Sequence, residues 1–431
     1  MTKITPYTIK NSLLSSISSL LNDKELYLDN PDKAFSRTQK VSFLDTMLFP
    51  IIMAGESTSV EMFDFFPQSK MPTQAALIYR RNQVSLSAFQ DLFFGFTEKL
   101  DHSKTFHNRL LIACDGTRIN TPFNPSDHDS YVDCIENRKG FNQYHLNSCY
   151  DLLNDLFIDA VIQGHYSMNE KAAFCQMIDR FPQDKPAIFV TDRGYASYNT
   201  IEHLISNRQS FVMRLPSVMA QNIFYNNDIP LDSSFDIEDV VHIGRYRTNA
   251  CKALRNYHCI PRERTYDSIP AGSKRIDSFK LRLVGFELQG GQIEYLLSNL
   301  SAVEFSLNDL KEIYRLRWGI ETSFRYLKYS SGIIHIHSLK QKFIFQEIYA
   351  KLICYNFCSA IMKIFNSAKK GNCKHRYVTD KTYLFKISIR YLKGKVDTIA
   401  RLVEKKKVPV RAGRKFERNM RRQHADTLQY R

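Results

Sequence analysis

Two short apolar runs constrain the fold of this chain most, and each of them ends immediately before an aspartate. Leu110–Cys114 ends at Asp115, and Ala187–Thr191 ends at Asp192. Continuous apolar runs of this length are typical of strands that are buried on both faces. A helical pattern over residues 169–181 lies between the two runs. Buried strands that alternate with helices predict an α/β layer structure.

The patterns on either side of this region divide the chain into further parts. The first hundred residues have apolar residues at helical spacing, and Pro216 opens a stretch of alternating, aromatic-rich runs typical of β-structure. A long helical pattern returns over residues 306–331, and an apolar helix and a basic tail follow it. The predicted parts are an N-terminal helical DNA-binding domain (1–100), the first part of the α/β core (101–216), a β-rich insertion (217–304), a core helix (305–345) and a C-terminal helical region with a basic tail (346–431). The basic pair Arg80-Arg81 ends a helical pattern in the first part, and it predicts either a helix that enters a DNA groove or an ordinary solvated face.

The charge of the chain indicates a polyanionic partner. Lys and Arg number 60 against 44 Asp and Glu, a formal net charge of +16 with a pI near 9.3. Nucleic acid and an anionic membrane surface both fit this balance. The last 28 residues carry ten basic and three acidic side chains. This tail predicts either a nonspecific DNA-binding arm or an ordinary solvated segment.

A membrane protein and an ATP-dependent enzyme are both disfavoured. The apolar stretches over residues 46–55 and 348–365 are short or interrupted by Pro50, Lys351 and Lys363, so we expect buried helices. No glycine-rich phosphate loop is apparent, and we therefore predict no use of ATP. The nine cysteines form no C-x-x-C pair, which suits reduced thiols in the cytoplasm.

The helical pattern over residues 310–329 contains residues that are candidates for a functional site. Ile313, Ile320 and Leu327 belong to one apolar stripe, and Glu321 lies among cations on the adjoining stripe. A solvated ladder of salt bridges is the ordinary explanation. A carboxylate for a metal ion beside cations for phosphate is the alternative. Asp115 and Asp192 likewise suit either Asx turns or ligands at the carboxyl edge of a sheet.

The spacing in this helix resembles a known family. Tyr314-x2-Arg317-x3-Glu321-x6-Lys328 matches the Y-(2)-R-(3)-E-(6)-K signature of DDE transposases of insertion sequence family four. Asp115-Gly116-Thr117 and Asp192-Arg193-Gly194-Tyr195 resemble the two acidic motifs of that family. The run from Pro72 to Arg81 is similar to its helical leader, and the resemblance spans about residues 40–360.

The resemblance implies an RNase H-like mixed-sheet catalytic core that is interrupted by the β-rich insertion. Asp115, Asp192 and Glu321 would be the catalytic residues and would coordinate two Mg²⁺ ions, for which Mn²⁺ can substitute. Binding of DNA phosphates would fall to a set of polar and cationic side chains, namely Tyr314, Arg317, Lys328, Arg325 and Arg193.

The function implied is that of a bacterial insertion-sequence transposase in the cytoplasm, associated with the nucleoid. It would bind double-stranded DNA at terminal inverted repeats, cleave it and transfer the strand to target DNA, as a dimer in a synaptic complex. An inactive DNA-binding derivative and an RNase H-like structure-specific nuclease are the alternatives. The sole tryptophan, Trp318, lies in the signature helix, so stacking of a flipped base would need another aromatic residue, such as Tyr257, Phe286 or Tyr295, each of which also fits a sheet core.

Overall fold

The computed structural model describes residues 4–37, 39–133, 139–227, 229–230, 233–288, 291–365 and 376–410. The N-terminal helices are α1 (Pro6–Ser19), α2 (Lys24–Tyr27), α3 (Phe43–Ile52), α4 (Thr58–Phe65), α5 (Gln74–Asn82) and α6 (Leu86–Glu98). The later helices are α7 (Glu170–Arg180), α8 (Tyr198–Ser206), α9 (Ser217–Ile223), α10 (Leu307–Leu316), α11 (Trp318–Tyr329), α12 (Gln341–Phe365), α13 (Lys381–Leu392) and α14 (Ile399–Glu404).

Ten of the strands found among the described residues belong to one sheet, and the remaining two form a separate ribbon. The sheet strands are β1 (Leu110–Thr121), β2 (Tyr131–Val132), β3 (Phe141–Asp151), β4 (Leu156–Gly164), β5 (Ala187–Thr191), β6 (Ser210–Arg214), β7 (Phe235–Gly244), β8 (Tyr257–Cys259), β9 (Ile276–Glu287) and β10 (Ile293–Ser298). The ribbon pairs β11 (Arg376–Thr379) with β12 (Lys407–Val410).

The strand order confirms the RNase H-like prediction. β1, β3 and β4 pair antiparallel, while β5 pairs parallel with β1 and β6 pairs parallel with β5. In the order β4-β3-β1-β5-β6, three antiparallel strands are followed by two strands that run parallel to β1. This order is the arrangement that the family resemblance implies. Helices α7 and α8 connect the parallel part of the sheet, as the sequence pattern predicts.

The strands of residues 217–304 extend this sheet rather than forming a separate one. β10 pairs with β6, and β9, β7 and β8 follow in that order. Strands β9 and β10 form an antiparallel hairpin in which Glu287 pairs with Ile293, while Gln289 and Gly290 lie outside the described residues. The core and the β-rich segment therefore share one continuous hydrogen-bonded sheet.

Both faces of the core sheet are buried, which explains the continuous apolar runs. Ile112 and Phe189 pack in a cluster with α7 and α8, while Leu111 and Ile188 point to the other face and pack with α10. The side chains of Ile112, Leu111 and Ile188 are fully buried. The strand residues thus alternate between two apolar layers.

Helix α12 is the centre of the largest apolar cluster, which joins the N-terminal helices to the core. Ile9 from α1, Phe93 from α6 and Ile353 from α12 pack in this cluster together with Phe157 of β4. α12 is long and apolar enough to cross a membrane, yet 78% of its most apolar window is buried inside the protein. Its burial fits the prediction of a buried helix.

The basic pair at the end of α5 has a structural role. Arg80 and Arg81 are both buried, and Arg81 Nη1 lies 3.0 Å from Glu347 Oε1 on α12. Arg81 also donates to the Phe343 carbonyl at 3.1 Å. These two arginines therefore do not offer their charge to a DNA groove. The basic tail over residues 411–431 lies outside the described residues, and the domain boundaries stay a prediction.

We expect Arg81→Met to lower the free energy of unfolding by about 3–5 kcal/mol, because it leaves the Glu347 carboxylate buried without its partner. Urea unfolding followed by far-UV circular dichroism measures this loss. The control is Lys33→Met, since Lys33 is exposed. A loss below about 1 kcal/mol for Arg81→Met would contradict a structural role for the pair.

Candidate active site

Two aspartates become neighbours because of the register between β1 and β5. Cys114 pairs with Thr191 in this parallel ladder, and Asp115 and Asp192 are the next residues of the two strands. β5 ends at this point, whereas β1 continues to Thr121 in its pairing with β3. The prediction that the first strand stops at Cys114 is therefore wrong. The juxtaposition of Asp115 and Asp192 depends on the strand register alone.

Polar side chains from two other elements surround the Asp192 carboxylate. Its Oδ1 accepts hydrogen bonds from the Arg193 backbone N–H at 2.7 Å and from the Tyr314 hydroxyl at 3.2 Å. The Arg214 guanidinium, at the end of β6, lies 3.7 Å from the same oxygen. Burial and the charge of Asp192 raise the pKa of Tyr314 to about 12, so its hydroxyl stays protonated and donates at neutral pH.

The predicted helix over residues 306–331 is broken into α10 and α11 at Arg317. The Arg317 N–H donates to the Tyr314 carbonyl and the Ile320 N–H to the Arg317 carbonyl, both at 3.1 Å. These i→i+3 bonds tighten the chain at the junction, as in a 3₁₀ turn. Next to the junction, a Cβ on Gly319 would lie 2.9 Å from a methyl carbon of Leu152, so a larger residue there would require the Leu152 side chain to move. Arg317, at the junction, is buried, with 7% of its surface exposed.

Arg317 lies among the three acidic residues that the sequence singles out. Its Nη2 donates to Glu321 Oε1 at 3.0 Å. Burial lowers the pKa of Arg317, but Tyr314, Asp192 and Glu321 together outweigh burial and raise it. The guanidinium therefore remains charged and offsets the repulsion among the carboxylates.

Asp115 is the acid of the site with the strongest shift. Burial raises its pKa to about 6, and the charges of Glu321 and Glu170 act in the same direction. The hydrogen bond from the Gly116 N–H (2.8 Å) and the charge of Arg317 oppose this rise. A buried carboxyl with a raised pKa is typical of a functional site, because a nearby cation would stabilise its ionised form.

The carboxylate oxygens of the site are the atoms that would bind a metal ion. Among the described residues, no group of three or more His, Cys, Asp and Glu side chains is arranged to hold a metal ion. The carboxylate oxygens of Asp115, Asp192 and Glu321 are nevertheless the donors that Mg²⁺ prefers. They fit the ion in chemistry, while Arg317 supplies the positive charge in this arrangement.

The remaining predicted site residues lie further out. Lys328 is two helical turns beyond Glu321, about 10 Å along the axis of α11. It is half-buried, and burial lowers its pKa. Arg325 and Arg193 are exposed. The structure thus brings together Asp115, Asp192, Tyr314, Arg317 and Glu321, and leaves the other three at the periphery.

Two charged residues of the site escaped prediction. Arg214 and Glu294 come from the paired strands β6 and β10, and the Arg214 Nε lies 3.9 Å from Glu294 Oε1. Glu294 is only 9% exposed, and its pKa is raised by burial. A glutamate inside the apolar run over residues 292–297 is the signal that could have revealed it. Arg214 likewise ends a buried strand beside the strand of Asp192.

The glycine after Asp115 makes room for a histidine. A Cβ on Gly116 would lie 2.2 Å from His145 Nε2, which in turn lies 3.0 Å from Glu170 Oε1. The His145 imidazole lowers the pKa of Glu170. Gly116 is therefore a packing requirement of the site, and His145 and Glu170 are two further residues that the sequence analysis missed.

Two polar side chains outside the candidate site, Asp159 and His337, have structural partners. The Asp159 carboxylate accepts from Arg180 at 2.6 and 3.2 Å, and His337 Nε2 lies 2.8 Å from the Glu56 carbonyl oxygen. Less than a tenth of the surface of each aromatic residue proposed for base stacking is exposed, as expected in a sheet core; these are Tyr257, Phe286 and Tyr295.

We expect Gly116→Ala to destabilise the protein, because the new methyl group would collide with His145. Adding His145→Ala should recover most of the loss, and a double-mutant cycle on unfolding free energies measures the coupling. Gly194→Ala is the matched control, since nothing lies within 4 Å of a Cβ there. Equal losses with and without His145→Ala would contradict the packing argument.

Asp159 gives a prediction of pH dependence. Burial raises its pKa to about 6, although Arg180 opposes the rise. The folded state then binds more protons than the unfolded state between about pH 4 and 6, so Asp159 makes the unfolding free energy fall as the pH rises. Asp159→Asn should reduce this fall by up to about 3 kcal/mol. Denaturation at several pH values tests it, and parallel curves for both proteins would contradict it.

Three comparisons with known proteins were made. The family described as "Transposase DDE domain" matches residues 107–357, which is more than half of the chain. A search of curated proteins gave no match. Among solved structures, the chain is similar to the cryo-EM structure of a piggyBac transposase synaptic complex with hairpin DNA, with a TM-score of 0.46 and 10% identity over 94% of this chain and 84% of that one.

The RNase H-like fold is assigned from the strand order described above and not from this structural similarity. The family match is independent of it and covers β1 to β10 as well as α10 and α11, which hold the acidic residues of the candidate site. On the strength of that match, the chain belongs to the family of transposases with a DDE domain.

Proposed function

We propose that this protein is the transposase of a bacterial insertion sequence of family four, which cleaves DNA at the terminal inverted repeats of its element and joins the ends to target DNA. The observation that carries the proposal is the adjacency of Asp115 and Asp192 at the end of β5, with Arg317 connecting them to Glu321 on α11. The Tyr-Arg-Glu-Lys spacing supports the narrower family assignment.

Asp115, Asp192 and Glu321 would hold two Mg²⁺ ions, or Mn²⁺ in their place. Such a pair of ions stabilises the attacking and leaving oxygens of a phosphodiester during in-line displacement. The side chains of the chain itself prepare the site. Tyr314 fixes the Asp192 carboxylate by its hydrogen bond, and the charge of Arg317 opposes the rise in the pKa of Asp115.

Cations at the rim would bind DNA phosphates. Arg193 directly follows Asp192 and is exposed, and Arg325 is exposed on the helix of Glu321. Lys328 would contact a phosphate about two helical turns from Glu321. Arg317 is better suited to a single phosphate close to the acids, because it is buried and its planar guanidinium can bind two oxygens.

The partner in this proposal is double-stranded DNA, bound at the inverted repeats and at the target by a dimer, in the bacterial cytoplasm at the nucleoid. No ATP is required, because phosphodiester transfer between DNA strands conserves the bond energy. Retention of all three acids favours an active enzyme over an inactive DNA-binding derivative. The β-rich segment and the signature helix favour a transposase over a structure-specific nuclease.

We expect Glu321→Gln to abolish cleavage of DNA that carries the inverted repeats of the element, while end binding stays within about threefold of wild type. The amide keeps the size of the side chain but removes the charge needed by a divalent cation. Gel assays of cleavage in Mg²⁺ or Mn²⁺, and gel shifts in EDTA, measure the two activities separately.

Glu312→Gln is the matched control, because it makes the same change on the neighbouring helix at a side chain that is 55% exposed. Full cleavage by Glu321→Gln, or cleavage in EDTA, would contradict the proposed role of the acids. End binding without cleavage by the wild type would favour the inactive derivative. Cleavage that ignores the repeats would favour the nuclease.

A further inference from the structure

A large cleft lies between the core and the β-rich segment. Its volume is about 1860 Å³, and α7 and α8 form one wall while the chain between β7 and β9 forms the other. Asn169 and Lys171 of its lining flank Glu170, whose charge acts on Asp115. Ala196, four residues after Asp192, also lines the cleft.

The wall contributed by the β-rich segment is strongly basic. Residues 245–275 contain eight Lys and Arg and two Asp and Glu. Some of these cations have structural partners: Arg245 donates to four backbone carbonyls, and Arg275 pairs with Asp277. Arg247, Lys252 and Arg264 instead line the cleft with exposed side chains, which make no hydrogen bond or ion pair within the described part of the chain.

Aromatic rings lie beside these cations. The His258 ring packs 5.0 Å from Tyr198 and 5.5 Å from Tyr225, and all three residues line the cleft. Tyr225 is 49% exposed. An exposed ring held in place by its neighbours offers a surface on which a nucleic-acid base can stack, whatever its identity.

The acidic residues of the cleft do not cancel its positive charge. Asp179 and Asp267 both contact His203, at 2.8 and 3.0 Å. Burial lowers the pKa of His203, but the two carboxylates outweigh burial and raise it. This triad largely satisfies its own charges, so Glu263 is the remaining acid of the cleft lining among the described residues.

We propose that this cleft binds a short single-stranded segment of DNA, with Arg247, Lys252 and Arg264 on its phosphates and Tyr225 stacked on a base. A duplex keeps its bases stacked on each other, whereas a single strand presents them to aromatic side chains. The inference that this segment belongs to the DNA that the protein cleaves rests on the proposed function; the binding itself does not.

The first test compares two charge reversals of equal size. Arg247→Glu with Lys252→Glu changes the cleft, while Arg262→Glu with Lys274→Glu changes two exposed cations of the same segment that do not line it. The probe is a labelled oligothymidylate of about 12 nucleotides, a length within the site sizes of such clefts. Fluorescence anisotropy in EDTA measures its affinity over a series of salt concentrations.

We expect the cleft variant to bind at least about tenfold more weakly than wild type, and the control variant to bind within about threefold. The slope of log affinity against log salt should fall by about 1.4 in the cleft variant, because each phosphate contact of a single strand contributes about 0.7. Equal losses in both variants would show only nonspecific attraction and would overturn the proposal.

The second test separates stacking from charge. Tyr225→Phe keeps the ring and should bind the oligonucleotide within about twofold of wild type, whereas Tyr225→Leu should bind several-fold more weakly at high salt. Equal affinity of Tyr225→Leu and Tyr225→Phe would overturn the stacking role. A 12-base-pair duplex that loses as much affinity as the single strand in the cleft variant would overturn the preference for single strands.

The outcome for the proposed function is independent of these measurements. If the wild type fails to cleave repeat-bearing DNA in Mg²⁺ but shows cleft-specific binding of the single strand, the proposed function fails and the binding site stands. If it cleaves such DNA and the two charge reversals bind alike, the binding site fails and the proposed function stands.

Discussion

The parallel pairing of β1 with β5 is the constraint on which the candidate site depends. It places Cys114 opposite Thr191, and the two following residues, both aspartates, then have no freedom to lie apart. A slip of this register by one residue would turn one of the two side chains to the opposite face. The apolar layers on both faces of the strands fix the register, since any slip would expose core residues on one side.

Arg317 offsets the electrostatic repulsion among the carboxylates that this register brings together. Carboxylates gathered in a partly buried space repel one another, and burial together with the charges of Glu321 and Glu170 raises the pKa of Asp115 to about 6. A buried guanidinium hydrogen-bonded to Glu321 lowers that cost without closing the site from solvent, because a third of the Glu321 side chain remains exposed. Arg317 lies at the break between α10 and α11.

Much of this arrangement could be predicted from the sequence, and the exceptions have physical reasons. The buried strands, α7 and the position of both aspartates follow from local apolar patterns. The extension of β1 to Thr121 does not, because its second half is stabilised by β3 alone and its residues are mixed in polarity. The break at Arg317 depends on i→i+3 hydrogen bonds that apolar periodicity does not record. Arg214, Glu294, His145 and Glu170 join the site through strand pairing, which brings together residues that are distant in the chain.

For Arg81, by contrast, the sequence pattern suggests a functional surface that the structure does not provide. A basic pair at the end of a helix suggests a surface for phosphates, but the partner that neutralises Arg81 lies 266 residues further along the chain. Charge patterns in a sequence report composition, whereas burial and pairing decide whether a charge is available to a ligand. Arg247, Lys252 and Arg264 are available by this criterion, although the sequence pattern alone had not distinguished them.

The pairing of β10 with β6 has a consequence for the evolution of the chain. An inserted segment that folded by itself could be lost or exchanged without harm to its host. Here β10 covers the edge of β6, whose backbone groups would otherwise face solvent as an open template for other chains. Removing residues 217–304 would thus leave an unpaired sheet edge beside Asp192, so the fold depends on this segment, which is not a detachable module.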